Sequence, residues 1–205
     1  LSLKKNILAI ITLLFYISAF GIAAYEVSFE KGKIQNDNFT VSQSLAFGND
    51  PALVTLFTLG TMCYIYLMVL GPKKLLYMRI FLQVIVYIFL ITIIWITTFK
   101  DKEKHYIFAF IIFFSILIFH ILTYIVYRNQ KISPLFKYGL LIACIINLLV
   151  FLGLGITRSK ALNKHRKEGN ISFASLENVV TLVTGAVIFI IGFCFNSFIS
   201  SSSSL

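Results

Sequence analysis

Apolar residues fall into six blocks along the chain, and charged residues lie almost entirely between the blocks. Each block has about 20 residues, the length that an α-helix needs to cross a hydrocarbon layer about 30 Å thick. A barrel strand would instead alternate apolar and polar residues over about ten positions. Because the blocks are apolar on all sides, they predict one all-α domain over residues 1–205, a polytopic transmembrane bundle of six helices with short loops. The predicted spans are residues 7–24, 52–70, 80–99, 106–127, 135–156 and 179–199.

Short polar motifs mark the ends of several blocks. Asp50 and Ser133 are followed directly by Pro51 and Pro134, an order typical of a capping residue and a proline in the first helical turn. The glycine–proline pair at residues 71–72 predicts the end of the second helix. The first block resembles a signal peptide, but it is long and lacks a strong cleavage site. We therefore interpret it as the first transmembrane helix.

Composition agrees with this architecture and narrows the functional classes. Hydrophobic residues make up 59% of the chain and charged residues 13%, whereas a soluble domain has roughly 45–50% and about 25%. The net charge of +10 comes from basic residues that flank the apolar blocks. We interpret them as interfacial anchors and expect no nucleic-acid partner. The three cysteines lie inside apolar blocks without metal-ligand spacing, so we expect no disulfide, metal or cofactor.

Two signals bear on orientation. With a cytosolic N-terminus, eight Lys and Arg residues face the cytosol and ten face the other side, an excess caused by the loop at 157–178. Asn38 and Asn170 begin Asn-Phe-Thr and Asn-Ile-Ser, which match the N-glycosylation pattern, and both lie in long loops on the non-cytosolic side. We therefore expect cytosolic termini, glycosylation at both asparagines, and residence in a eukaryotic endomembrane or plasma membrane.

Polar residues within or beside the predicted spans are the candidate site residues, because a polar side chain in lipid is costly without a partner. Gln83, His120 and Asn147 lie in the third, fourth and fifth spans, and His105 and Glu177 lie at the entrances to the fourth and sixth. Glu177 is expected either to bind a cationic group or a metal ion, or to cap its helix and complement the helix dipole.

His120 and Asn147 each allow two interpretations. The residues three, four and seven positions after His120 share its helical face, and they are Thr123, Tyr124 and Tyr127. In the first interpretation, this polar face lines a pocket for a lipid headgroup or a proton. In the second, His120 makes an interhelical hydrogen bond. Asn147 binds a ligand, or else it joins two helices.

Several functional motifs do not occur in the sequence. It contains no recognisable serine–histidine–acid set, HExxH motif, P-loop or acidic pair within the spans. No span carries an arginine ladder, a central lysine or a glycine-rich selectivity filter. This disfavours an ordinary membrane enzyme, a voltage-gated channel and a rhodopsin.

The layout and three short motifs resemble the six-span FRAG/DRAM/SFK family, which includes an autophagy modulator and a factor for GPI-anchor lipid remodelling. The motifs are residues 44–51 before the second span, His105, and residues 173–177 at the sixth. The resemblance implies an endomembrane or plasma-membrane protein with a role around lipids and without a known catalytic centre.

The main functional hypothesis is a non-enzymatic membrane protein that engages membrane lipids or helps to remodel them. Its pocket would be lined by His105 and Glu177 on the lumenal side. A second hypothesis is an accessory subunit that packs against other membrane proteins. A third is a small transporter or channel that uses His120, Asn147 and Gln83.

Overall fold

The computed structural model describes residues 2–29, 51–95, 102–163 and 171–193, and this part of the chain forms six α-helices. Five are long and apolar enough to cross a membrane, and the apolar part of the sixth, Asn178–Phe193, is shorter. The structure confirms the predicted all-α bundle, and the chain is a multi-pass membrane protein. The helices are α1 (Ser2–Phe29), α2 (Pro51–Val69), α3 (Leu76–Trp95), α4 (Lys102–Tyr127), α5 (Pro134–Asn163) and α6 (Ile171–Phe193).

The helices form a ring in which each packs against its neighbours in sequence and α6 closes on α1. Short turns at residues 70–75 and 128–133 reverse the chain, so α2 and α4 end where α3 and α5 begin. The end of the bundle that holds these two turns is the turn end. The start of α1 and the end of α6 also lie there, because Gly192 packs against Ala9, and Ala9 shares a buried cluster with Met68 and Tyr127 at the ends of α2 and α4.

The turn between α2 and α3 is shaped by its own residues. The amide of Gly71 donates to the carbonyl of Met68 at 3.0 Å, after α2 has ended at Val69. Leu75 has a φ of 55°, a left-handed conformation that is unfavourable for a side chain. Arg79, on the first turn of α3, donates from Nη2 to the Pro72 carbonyl at 2.7 Å. This bond ties the start of α3 to the turn.

Small residues allow close helix contacts at two crossings. A Cβ added at Gly60 would lie 3.3 Å from the Cβ of Phe15 on α1, and one added at Gly192 would collide with Ala9. Helices in lipid gain little from apolar burial against one another, so such close backbone approach is a main source of their association. The two glycines hold α1 against α2 and α6.

Two basic residues depart from the interfacial position that the sequence pattern indicated. The side chains of Lys5 and Arg79 are only 4% and 0% exposed, respectively. Both lie inside the turn end instead of projecting toward lipid headgroups. By contrast, Lys73, Lys74 and Arg128 in or beside the two turns are exposed, as expected for interfacial anchors.

Candidate functional site

A cavity of about 460 Å³ lies inside the helix ring. Its lining residues belong to α1, α2, α3, α4 and α6, and most are apolar, such as Leu90, Ile93 and Ile112. On α3 the lining extends from Gln83 to Ile93, which at 1.5 Å per residue is about 15 Å of helix. The cavity is therefore a long, mostly apolar space that runs along the bundle.

The cavity opens sideways. Within the described part of the chain, four lining residues are themselves exposed, and all belong to α1 or α6: Ile17, Leu182, Ala186 and Phe189. Ile17 is 64% exposed and Leu182 is 74% exposed. The opening therefore follows the seam between α1 and α6, on the side of the bundle that faces lipid.

One polar cluster joins α1, α2 and α3. The hydroxyls of Tyr16 and Thr61 share a hydrogen bond at 3.1 Å, and Gln83 donates from Nε2 to the Tyr16 hydroxyl at 3.4 Å. Thr61 and Gln83 are buried, and all three residues line the cavity. We refer to Tyr16, Thr61 and Gln83 as the paired cluster, because each of its members has a partner within it.

A second set of polar bonds joins α4 and α5. Asn147 is 3% exposed; its Nδ2 lies 2.9 Å from the Ala143 carbonyl and 2.6 Å from Nδ1 of His120. The reverse orientation of the amide would place its oxygen against the carbonyl oxygen, and two acceptors cannot bond each other. Asn147 therefore donates both amide hydrogens. The Nδ1 atom of His120 is the acceptor, so the ring is neutral and its hydrogen is on Nε2.

The Nε2–H group of His120 has no hydrogen-bond partner, although the residue is only 1% exposed. The hydroxyls of Tyr64 and Thr123 are likewise buried without a partner. His120 and Tyr64 both line the cavity, and both stack edgewise on Phe119, with ring centroids 5.7 Å and 5.6 Å apart. We refer to His120, Tyr64 and Thr123 as the open cluster.

The structure places the predicted residues in three groups. His120 and Asn147 are brought together, whereas Gln83 belongs to the paired cluster. His105 and Glu177 lie near the starts of α4 and α6, but their side chains are outside those that the structure describes. Asn38 and Asn170 also lie outside the described residues.

Sequence reasoning missed the hydroxyl residues Tyr16, Thr61 and Tyr64. A threonine in a helix can bond a carbonyl of its own helix, and Thr12, Thr58 and Thr184 do donate to carbonyls four residues earlier. Thr61 instead bonds across to α1. The available signal was the spacing of Thr61 and Tyr64, three residues apart on one helical face with Phe57.

Comparison of the chain with protein-family models, with curated proteins and with solved structures found no significant match. The described residues contain no group of three or more potential metal ligands, and Cys63 and Cys144 are free thiols. The site is therefore interpreted from its own geometry: an apolar cavity, a sideways opening, and buried donors near the turn end.

Proposed function

We propose that this multi-pass membrane protein binds a membrane lipid, with an acyl chain in the cavity and a polar group of the lipid near His120. The observation that carries the proposal is the mostly apolar cavity of about 460 Å³ that opens along the α1–α6 seam. Its volume lies within the range of about 300–1,000 Å³ common for ligand pockets. A sideways opening lets a lipid enter without leaving the bilayer.

The open cluster supplies a reason for a polar contact. A buried donor without a partner costs about 1–3 kcal/mol. The Nε2–H of His120 needs an acceptor, and an ester carbonyl of a glycerolipid is an acceptor joined to an acyl chain. The hydroxyl of Tyr64, which also lines the cavity, is a second donor available to a polar group of the lipid.

The resemblance of residues 44–51, His105 and residues 173–177 to the FRAG/DRAM/SFK family favours the same class of function. On this proposal the protein holds a lipid for other proteins to modify and does not itself catalyse the change. Eukaryotic endomembrane or plasma-membrane residence, with cytosolic termini, belongs to the same proposal.

Native mass spectrometry of the protein purified in a mild detergent tests lipid binding. We expect the wild type to retain one lipid per chain. The variant Ile17→Trp narrows the opening and should retain at least about threefold less lipid, since about 0.7 kcal/mol corresponds to that ratio. The matched control is Leu14→Trp on the same helix, because Leu14 is 57% exposed and does not line the cavity.

Equal lipid retention by both tryptophan variants would contradict the proposed entry route. A wild type that carries no lipid but a stoichiometric membrane protein would replace the proposal by the accessory-subunit hypothesis. A water-filled path to Asn147 with ion flux across vesicles would replace it by the transporter hypothesis.

Glycosylation tests the orientation separately. In a eukaryotic expression host, Asn38→Gln and Asn170→Gln should each remove one glycan-dependent gel shift. A wild type whose mobility is unchanged by glycosidase would contradict the lumenal placement of both loops.

A further inference from the structure

Arg79 is the most unusual buried side chain in the described part of the chain. It is fully buried, and although Nη2 donates to the Pro72 carbonyl, neither Nε nor Nη1 has a hydrogen-bond partner. A guanidinium stays charged at all physiological pH values. Burying a charge is expensive unless it is paired and hydrogen-bonded. The structure therefore contains a cation whose charge and two nitrogen atoms need an anion.

Among the side chains that the structure describes, no carboxylate lies at the turn end, where Arg79 is buried. In the sequence, the eight acidic residues fall between positions 26 and 50, at positions 101 and 103, and at positions 168 and 177, whereas the turns at residues 70–75 and 128–133 at Arg79's end contain none. The other end of α3, at Trp95, is 16 residues or about 24 Å away from Arg79. The acids are Glu26, Glu30, Asp37, Asp50, Asp101, Glu103, Glu168 and Glu177.

Arg79 also lies close to the polar end of the cavity. Gln83, one helical turn further along α3, lines the cavity. Arg79 itself does not line the cavity, but Tyr64 does, and its hydroxyl lacks a hydrogen-bond partner. Tyr64 belongs to the buried cluster against which Leu76 and Ile80, on the same part of α3 as Arg79, are packed. Unmet donors thus continue from His120 through Tyr64 to Arg79, toward the turn end.

We propose that Arg79 and Tyr64 bind a phosphate group, and that the lipid in the cavity is a phospholipid whose headgroup points to the turn end. This inference rests on the proposed function for the acyl chain, and it adds the chemical class of the headgroup. Phosphate oxygens accept charge-assisted hydrogen bonds from Nε and Nη1, and the Tyr64 hydroxyl donates a further bond. The exposed Lys73, Lys74 and Lys131 at the same end add attraction for an anionic headgroup.

The experiment compares two lipids with identical acyl chains: phosphatidylglycerol and diacylglycerol, which lacks the phosphate. The full chain is purified in neutral detergent, incubated with each lipid, and measured by native mass spectrometry. The wild type should retain phosphatidylglycerol at least about tenfold more than diacylglycerol, since hydrogen bonds to a charged group are worth enough for that ratio. Arg79→Gln should reduce the ratio to within about twofold and leave diacylglycerol retention unchanged.

Lys131→Gln is the matched control, because it removes an exposed cation from the same end, and it should keep most of the preference. If Arg79→Gln does not fold, Arg79→Lys, which keeps the charge and loses Nε and Nη1, should give an intermediate ratio. A wild-type ratio near one, or a ratio that Arg79→Gln leaves unchanged, would overturn the phosphate site and leave lipid binding intact.

A measurement with inorganic phosphate alone distinguishes a lipid headgroup from free phosphate as the source of the bound anion. If neither lipid is retained, the proposed function fails. An Arg79-dependent thermal stabilisation by phosphate would then assign the site to free phosphate, and no stabilisation would overturn the site as well.

Discussion

The two polar clusters lie in the same helix ring, but only in one of them does every member have a hydrogen-bond partner. In the paired cluster, Tyr16, Thr61 and Gln83 bond one another across α1, α2 and α3. In the open cluster, His120 is held by Asn147 through one ring nitrogen while the other has no partner. Helix association explains the first cluster fully. It leaves the donors of the second unexplained, and those donors are the ones that we assign to a ligand.

The largest loss of stability is expected from the seam between α1 and α6, away from both clusters. Gly192→Ala adds a methyl group that collides with Ala9, and overpacking of this kind costs about 1–3 kcal/mol. The control Gly155→Ala adds the same group where nothing lies within 4 Å. The free energy of unfolding in mixed micelles should fall for the first and stay equal or rise for the second. Similar losses for both would contradict the close α1–α6 packing.

The next largest loss of stability is expected when the hydrogen bonds of Asn147, which join α4 and α5, are removed. Asn147→Leu removes both amide hydrogen bonds, so the free energy of unfolding should fall by about 1–2 kcal/mol. Lipid retention should fall as well, because the His120 ring loses the partner that fixes its hydrogen on Nε2. A variant that lost stability but kept full lipid retention would show that His120 acts only in helix packing.

A substitution in the paired cluster should lower stability and leave lipid retention nearly unchanged. Tyr16→Phe removes the hydroxyl that bonds Thr61 and Gln83, and should lower the free energy of unfolding by about 1 kcal/mol. Lipid retention should change by less than about twofold, since each residue of the cluster already has a partner within it. A large loss of lipid with unchanged stability would reverse the roles that we give to the two clusters.

His120→Phe is expected to reduce stability no more than Tyr16→Phe and to have a clear effect on lipid retention. The change removes the unpartnered Nε2–H but also the Nδ1 acceptor of Asn147, so the free energy of unfolding should fall by about 1 kcal/mol. Lipid retention should fall about threefold to tenfold, as for the loss of one hydrogen bond. Unchanged retention would contradict the assignment of Nε2 to the lipid.

The sequence was sufficient to predict the helices and the polar residues within them. Spans of uniform apolarity have one solution in a bilayer, so the bundle followed from length and composition. Pro51 and Pro134 stand at the first positions of α2 and α5 as expected. Gln83, His120 and Asn147 were selected because a polar group in lipid needs a partner.

The partners themselves could not be predicted, because they depend on which helices meet and in what register. His120 pairs with Asn147 on α5, whereas Tyr124, on the face that the sequence highlighted, is only half-buried. Arg79 was counted as an interfacial residue, and its burial follows from the folding of the turn at residues 70–75 over it. The cavity arises from the closure of the ring, and no single segment encodes it.

The central claim, that a lipid chain occupies the interior, is tested most directly with a phospholipid that carries a photoreactive diazirine at mid-chain. Any bilayer lipid labels the outward faces of all helices, so the informative residues are those that line the cavity but are buried, such as Val86, Ile93 and Ile112. We expect peptide mapping to find label at these positions on α3 and α4, and Ile17→Trp to reduce it selectively. Label confined to outward residues such as Leu149 and Leu152 on α5 would contradict the account.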